Sequence, residues 1–223
     1  MLLLEADRVT RSFSIGDTLS LALSEQSLTL CQGEFLVLTG PSGSGKSTLL
    51  NLLSGLDKPS QGEVCYRGRS LAMMQPQERA RLRNVCFGFI FQTPHLLPDR
   101  TVIENVELPF HYSQYSSASA IKERCLNLLE YVGMADMALR YPDTLSGGEM
   151  QRVVFARALA CQPEIIFADE PTGSLDADNS RKILELLKEQ TANNCSVIMA
   201  THDAEGIAYA SRVVHLQKRQ ANE

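Results

Sequence analysis

The glycine-rich segment GPSGSGKS at residues 40–47 constrains this chain more than any other feature of its sequence. It matches the pattern G-x-x-x-x-G-K-[ST] and follows an apolar run, residues 35–39, that predicts a strand. The leucine-rich segment at residues 49–56 then predicts a buried helix, which Lys-Pro-Ser at residues 58–60 ends. A strand, a glycine turn and a helix in this order are typical of a phosphate-binding loop in an α/β domain.

The residue types of this loop predict its chemistry. Gly43 and Gly45 allow positive φ angles, so successive backbone N–H groups can turn toward one anion, and the helix adds the positive end of its dipole. Lys46 is predicted to bring positive charge near the β and γ phosphates, while the Ser47 hydroxyl ligates Mg²⁺. We prefer this interpretation to an ordinary glycine-rich turn because every required position agrees. The predicted contacts are Gly40, Ser42, Gly43, Ser44, Gly45, Lys46, Ser47 and Thr48.

An acidic pair follows a second apolar run. Residues 165–168 predict a strand that delivers Asp169 and Glu170 to its carboxyl end, where α/β sheets bind ligands. Asp169 is expected to hold the Mg²⁺ shell through water, and Glu170 to accept a proton from the attacking water. In a chain without the phosphate loop, we would interpret the same pair as two solvated carboxylates at the end of a strand.

The segment LSGGEMQR at residues 145–152 predicts the start of a helix. Ser146 is a good N-cap, and Glu149 holds the reciprocal position of a capping box. Gly147 and Gly148 leave this helix start bare of side chains, so its N–H groups can face an anion. A plain capping box without a ligand satisfies the same residues, and the segment alone does not decide between the two.

Taken together, the motifs resemble those of the ATP-binding cassette (ABC) ATPases over nearly the whole chain. The Walker A, Q-loop, signature, Walker B, D-loop and switch histidine of that family occur here in the family's order. By this resemblance, Gln92 is the Q-loop residue and is expected to act as a metal ligand and catalytic residue. His202 is expected to contact the γ-phosphate in the catalytic site, and Asp176 belongs to the D-loop. The resemblance implies that the chain binds ATP with Mg²⁺.

Three local features are compared with the family pattern. Phe13 resembles the aromatic residue that stacks on adenine, although it can instead pack with Val9 and Ile15 on one strand face. Glu149 stands where many relatives carry Gln, and we expect its capping role to survive. Residues 215–223 lack the Asp-Gly turn that such cassettes often show, so we expect the final hairpin to be short or missing.

The implied fold class is α/β: a P-loop NTPase (RecA-like) core with an N-terminal antiparallel β subdomain and an inserted α-helical subdomain. Residues 1–223 are expected to form one ABC ATPase domain. In it, residues 1–92 and 161–223 form the nucleotide-binding core, and residues 93–160 form the inserted helical subdomain with the signature.

The hydrophobic pattern predicts further elements within this fold. Alternating apolar residues predict several short strands in the first third of the chain. One later strand is predicted to carry Val85, Phe87, Phe89 and Phe91 on one face. The apolar stripe Ile121, Cys125, Leu128, Leu129 and Val132 predicts a helix that ends at Gly133, and residues 177–191 predict another.

In the ABC family, two cassettes meet head to tail around two ATP molecules. Applied here, Ser146, Gly147 and Gly148 of one copy complete the phosphate site of a second copy, and a membrane permease sits against residues 93–115. The segments FGFIFQTPHLLPDRTVIENVELPF, GLDKPSQGEV and ADEPTGSLD resemble the branch that contains lipoprotein-release, macrolide-efflux, heme-efflux and cell-division ATPases. The expected function is therefore to drive a permease by ATP hydrolysis.

Net charge, cysteine spacing and the first residues indicate which partners this chain binds and in which cellular compartment it works. The net charge of −5 disfavours nucleic acid, because such binders usually show a basic excess. The six cysteines are never closer than 21 residues, which offers no CxxC pair to zinc or to disulfide exchange. The first residues, MLLLEADRV, lack the basic start of a signal peptide. We expect a cytoplasmic protein that is peripheral on the inner face of the cell membrane through its permease.

Three alternatives are weighed against transport. A regulatory module, as in the cell-division branch, would use ATP to switch a membrane partner without moving cargo. A cassette protein acting on ribosomes would carry two cassettes, and one acting on DNA would carry long coiled coils or zinc sites. The sequence shows none of these features. A P-loop kinase would have no use for LSGGE and ranks last.

Overall fold

The computed structural model describes residues 1–15, 18–112 and 117–217. The strands in these ranges are β1 Leu2–Ile15, β2 Thr18–Cys31, β3 Phe35–Thr39, β4 Gln61–Tyr66, β5 Arg69–Ser70, β6 Phe87–Phe91, β7 Ile165–Asp169, β8 Ser196–Ala200 and β9 Arg212–His215. The α-helices are α1 Lys46–Leu53, α2 Pro76–Cys86, α3 Val102–Glu107, α4 Ala118–Tyr131, α5 Gly147–Leu159, α6 Ala177–Ala192 and α7 Ala204–Ala208. Short 3₁₀ turns cover Leu108–Tyr112, Ala135–Met137 and Pro142–Thr144. Among these helices, none combines the length and apolar character that crossing a membrane requires.

Five parallel strands in the order β6-β7-β8-β3-β9 form the central sheet. β3, β7 and β8 are buried on both faces along almost their whole length, as their continuous apolar runs predict. Phe91 pairs with Asp169, and Asp169 pairs with Ala200. Since the strands are parallel, the loops that follow β3, β6, β7 and β8 meet at one edge of the sheet. Together with a separate antiparallel sheet, this arrangement confirms the predicted α/β fold.

The antiparallel sheet has the order β2-β1-β4-β5 and corrects the prediction of several short strands. β1 and β2 are instead two strands of 14 residues each. Their pairing shifts register near Ala6, Val9 and Arg11, and such bulges interrupt the alternation of apolar residues. Gly62 of β4 lies against the irregular part, where a Cβ would stand 2.3 Å from the Arg8 carbonyl oxygen. Only glycine fits this close approach.

The region before β6 also differs from the prediction. Val85 lies in α2, and β6 begins at Phe87, so Val85 is not part of the strand face. The Phe87 and Phe89 rings pack on Phe167 with centroid separations of 5.1 and 5.7 Å. The sequence did not predict α2 because the helix contains no fully buried residue, and therefore shows no apolar stripe.

Helices α3, α4 and α5 occupy the chain between β6 and β7 and share one core with one face of the parallel sheet. Cys125, Leu129 and Phe155 are buried there with Ile90 and Ile166. The predicted helix with the 121–132 stripe is confirmed as α4, and Gly133 follows with a φ of 69°. The division of the chain at residues 93 and 160 stays a prediction. β9 ends at His215, and residues 218–223, on which the expected final hairpin depends, lie outside the described residues.

Candidate active site

The glycine loop between β3 and α1 is shaped by its glycines. The φ angles of Gly40, Gly43 and Gly45 are 144°, 75° and 96°. A Cβ at Gly40 would stand 2.4 Å from the Leu216 carbonyl oxygen, and one at Gly45 would stand 2.9 Å from that of Ala22. Helix α1 begins directly after Gly45 with no side-chain cap and no acidic residue in its first turn. Its first N–H groups are therefore suited to an external anion.

Lys46 lies over the same loop. Its Nζ donates to the carbonyl oxygens of Gly40 at 3.0 Å and Pro41 at 3.3 Å. Ser44 is buried, and its Oγ has no hydrogen-bond partner among the described residues. The neighbouring predicted contacts Ser42 and Gly43 are exposed, and Thr48 is half-buried. The loop thus exposes residues 41–43 to solvent, with the Lys46 ammonium against the carbonyl oxygens of Gly40 and Pro41.

Ser47 and Asp169 form an oxygen pair beside the loop. The Ser47 Oγ donates to Asp169 Oδ1 at 3.0 Å. Burial raises the pKa of Asp169 above its ordinary value and the charge of Glu170 adds to this, while Ser47 and Lys46 lower it. A partly buried carboxylate next to a hydroxyl suits a hard divalent cation that takes its other ligands from phosphate and water. The donor set therefore fits Mg²⁺.

Glu170 is held in an uncommon conformation at the end of β7. Its φ is 46°, and its N–H donates to the Ala200 carbonyl oxygen at 2.9 Å. Glu170 Oε1 lies 2.8 Å from His202 Nδ1, and Oε2 accepts from Thr201 Oγ1 at 3.2 Å. The side chain of Glu170 is 19% exposed and that of His202 is 74% exposed. Thr201 has no motif of its own in the sequence, and its only signal there is its place between β8 and His202.

Gln92 follows β6 and lies against the loop after Glu170. A Cβ at Gly173 would stand 3.0 Å from Gln92 Nε2, and the Gly173 N–H donates to the Glu170 carbonyl oxygen at 3.1 Å. The structure therefore brings Gln92 beside the segment that follows β7. Six of the predicted residues therefore meet at this edge of the sheet, namely Lys46, Ser47, Gln92, Asp169, Glu170 and His202.

The predicted helix start at Ser146 is present, with a complete capping box. The Ser146 N–H donates to Glu149 Oε2 at 2.7 Å, and the Glu149 N–H donates to Ser146 Oγ at 3.4 Å. The hydroxyl and backbone hydrogen bonds from Ser146 lower the pKa of Glu149. Ser146 and Gly147 are exposed. In the described part of the chain, no hydrogen bond joins this helix start to the phosphate loop.

The signature glycines differ in their surroundings. Gly148 is buried against Asn179, and Asp176 caps α6 by accepting from the Asn179 N–H and Nδ2 at 2.8 Å each. The backbone hydrogen bond from Asn179 lowers the pKa of Asp176. Arg152 holds Asn179 from the other side, since its Nη1 donates to Asn179 Oδ1 at 2.9 Å. The signature therefore packs on the predicted D-loop residue through a fixed asparagine.

We expect Gly147→Ala and Gly148→Ala to change stability in different ways. The new Cβ would stand 3.9 Å from Leu175 Cδ2 at Gly147, but 2.4 Å from Asn179 Cγ at Gly148. Overpacking costs about 1–3 kcal/mol, whereas alanine in place of a helical glycine gains up to about 1 kcal/mol. Urea denaturation should therefore show a lower free energy of unfolding for Gly148→Ala alone. Equal values for both variants would contradict the close contact.

Phe13 lies on β1 opposite Ser20 of β2 and is 44% exposed. The guanidinium carbon of Arg11 stands 4.3 Å from the centroid of its ring. Asp57 fixes that guanidinium with two hydrogen bonds of 2.7 and 2.9 Å. Val9 is fully buried, whereas almost half of the Phe13 side chain is exposed, and the adenine contact of Phe13 stays a prediction.

Comparisons with known proteins bear on the family. The family model described as "ABC transporter" matches residues 23–173. The chain is 44% identical over 215 residues to the uncharacterized ABC transporter ATP-binding protein MJ1508 of Methanocaldococcus jannaschii, covering 96% of each. It is also 44% identical over 214 residues to the macrolide export ATP-binding/permease protein MacB of Burkholderia pseudomallei. That match covers 96% of this chain, which spans 33% of the length of MacB.

Solved structures agree with this assignment. A dimeric ATP-binding cassette, MJ0796, in a post-hydrolysis state bound to ADP and Pi gives a TM-score of 0.90 at 36% identity. The match covers 98% of this chain and 97% of that one. CbiO1 from Clostridium perfringens, part of the ABC transporter complex cbiONQ, gives a TM-score of 0.85 at 26% identity, covering 97% and 85%. The chain therefore belongs to the ABC transporter family, as one of its ATP-binding and ATP-hydrolysing cassettes.

Proposed function

We propose that two copies of this cassette close head to tail around two Mg²⁺-ATP molecules, and that the cycle of closure and hydrolysis drives a membrane permease. One observation carries the catalytic part of this proposal. Beside the glycine loop, Ser47 and Asp169 are joined at 3.0 Å, and Glu170 and His202 lie 2.8 Å apart at the same edge of the sheet. The groups proposed to bind phosphate, to bind the metal ion and to accept a proton therefore lie next to one another.

Binding would use the glycine loop and α1. The backbone N–H groups of the loop and the positive end of α1 would hold the phosphates, with Lys46 neutralising their charge. Phe13 would stack on adenine by its exposed face, while the Arg11 guanidinium packs on the same ring, 4.3 Å from its centroid. Ser47 and Asp169 would hold Mg²⁺, which would neutralise charge that develops on the phosphates.

Hydrolysis would depend on the Glu170 carboxylate as proton acceptor. Thr201 and His202 each contact one of its two oxygens, so they fix the orientation of the carboxyl group. The exposed imidazole of His202 would contact the γ-phosphate at the same time. Gln92, which lies against Gly173, would report on the metal and the attacking water.

The second half of each site would come from the other copy. Ser146 and Gly147 are exposed at the start of α5, where backbone N–H groups can meet a γ-phosphate. The Ser146 hydroxyl donates to Glu149 Oε2 at 2.7 Å and would turn from it to the phosphate on closure. The dimeric cassette bound to ADP and Pi supports this arrangement, because it resembles this chain along almost its whole length. Closure would require ATP, since only the closed pair makes both sets of contacts.

A permease is the proposed membrane partner, because MacB is named as an ATP-binding/permease protein and includes a region that matches this chain. We infer that the permease sits against residues 93–115, of which residues 113–115 lie outside the described residues. This would place the cassette on the inner face of the cell membrane. Transport by vesicles that contain the cassette and its membrane chain tests this step, and ATP-dependent switching without cargo movement would favour the regulatory alternative.

A pair of capping boxes offers a matched test of the shared site. Thr101 and Ser146 make the same two backbone contacts, at 2.7 and 3.4 Å, with Glu104 and Glu149 respectively. Thr101→Ala and Ser146→Ala should each cost about 0.5–2 kcal/mol of stability in urea denaturation. Only Ser146→Ala should also slow phosphate release, by about 10- to 100-fold, since it removes a hydrogen bond to a charged phosphate. Equal turnover by both variants would contradict a ligand at Ser146.

A further inference from the structure

Gln151 is a buried glutamine of α5 that connects three parts of the active site. It lies one helical turn beyond Gly147 and is 1% exposed. Its Nε2 donates to the carbonyl oxygen of Phe91 at 3.0 Å and to that of Pro171 at 2.9 Å. Both protons of the side-chain amide are therefore used, each on a different loop.

Each of the two acceptor residues is the direct neighbour in sequence of a proposed active-site residue. Phe91 ends β6 and directly precedes Gln92, while Pro171 directly follows Glu170. One amide therefore fixes the spacing between the loop that carries Gln92 and the loop that carries Glu170. A shift of α5 along its axis would move both loops or break one of these hydrogen bonds.

Helix α5 makes a second contact with the loop that carries Gln92. Arg157 donates to the carbonyl oxygens of Pro94 and His95 at 3.0 Å each. The segment from Phe91 to His95 is thus tied to α5 at both of its ends. Because α5 is a single helix of 13 residues that begins directly after Ser146, a displacement of its signature end should also displace Gln151 and Arg157.

We propose that Gln151 is a positioning residue that couples the two ATP sites of the dimer, an inference that rests on the proposed head-to-tail closure. In that closure, the α5 start of one chain meets the nucleotide held by the other chain. Gln151 then makes the placement of Gln92 and Glu170 toward the chain's own nucleotide depend on how its signature is seated. Loss of the amide should uncouple the two sites while each still binds ATP.

Heterodimers with one active site test the placement. Two differently tagged chains are co-purified, and Glu170→Gln in one of them restricts hydrolysis to the other. When Gln151→Met and the intact Glu170 are in the same chain, kcat should fall about tenfold or more, with KM for ATP changed by less than about twofold. When they are in opposite chains, kcat should fall less than about twofold. Equal losses in both arrangements, or a larger loss in the second, would overturn the proposal.

A double-mutant cycle in the same heterodimer tests the coupling. Ser146→Ala in the chain that keeps Glu170 alters only the opposite, non-hydrolysing site. It should lower kcat at the active site when Gln151 is present and have no further effect once Gln151→Met is introduced. Additive effects would assign Gln151 a local structural role. Absence of hydrolysis in the wild-type dimer would instead overturn the proposed function, and this is measured before any variant is made.

Gln190 provides the matched control. It is also buried, and its Nε2 donates to Tyr131 Oη at 2.9 Å and to the Leu186 carbonyl oxygen at 3.4 Å. Gln190→Met should lower the melting temperature, but kcat should be the same whether this variant is in the chain that keeps Glu170 or in the opposite chain. Where Gln151→Met does not fold, Gln151→Glu keeps the length of the side chain and removes its donors when ionised. It is judged by the same comparison of same-chain and opposite-chain placement.

Discussion

Replacing Glu170 with Gln is expected to lower ATP turnover by about 10²- to 10⁴-fold while ATP binding is retained. The amide has the size of the carboxylate and can still accept from Thr201, but it cannot take a proton from water. Phosphate release measures turnover, and equilibrium binding of labelled ATP measures affinity. Size-exclusion chromatography with Mg²⁺-ATP should show dimers accumulating, because closure continues without hydrolysis to end it.

The control for this result is Glu205→Gln in α7. Glu205 lies three residues beyond His202, and its Oε1 stands 3.5 Å from Arg181 Nε. Removing its charge should leave turnover within about twofold, since partly exposed ion pairs contribute little. Unchanged turnover in Glu170→Gln would remove Glu170 from the role of proton acceptor.

Replacing Ser146 with Arg is expected to abolish hydrolysis, with a loss of about 10²-fold or more, while each monomer still binds ATP. The larger side chain would fill the exposed helix start and remove the hydroxyl that we propose for the partner's γ-phosphate. The glycine loop and Lys46 make no hydrogen bond to Ser146 in the described part of the chain, so binding to one copy should not change. Nucleotide titration and phosphate release measure the two properties separately.

Ser117→Arg is the matched control for this change. Ser117 is the N-cap of α4, is exposed and makes no side-chain capping bond. The same substitution at this helix start should leave hydrolysis within about twofold, since surface changes of this kind are usually small. A Ser146→Arg variant with full activity, or one that loses ATP binding in the monomer, would refute the shared site. Combining Ser146→Arg with Glu170→Gln should also prevent ATP-dependent dimers.

The sequence predicted the phosphate loop and the acidic pair because their signals are local. The glycines, Lys46 and Ser47 are consecutive, and Asp169 and Glu170 end a run of buried residues. The α5 start was predictable for the same reason, as Ser146 and Glu149 are three residues apart. The packing of this helix start on Asn179 was not predictable, because Asn179 is distant in sequence and belongs to no motif shared with residues 145–152.

Other parts of the structure depend on contacts between distant residues. Gln151 reaches Phe91, 60 residues earlier, and Thr201 reaches Glu170, 31 residues earlier. A single glutamine or threonine carries no sequence signal of such a role. Similarly, β1 pairs with both β2 and β4, and both pairings contain register shifts that interrupt the local alternation, so the sequence indicated shorter strands than the structure has. The roles of the individual site residues stay predictions until the variants are measured.

The left-handed backbone of Glu170 has a consequence for the evolution of this chain. A residue with a side chain in that region of φ and ψ costs of order 1–3 kcal/mol, and glycine or asparagine would adopt it more cheaply. Selection for thermal robustness alone would therefore favour replacing the glutamate. The chain nevertheless keeps a glutamate in this conformation, and there Thr201 and His202 each contact one of its two carboxylate oxygens.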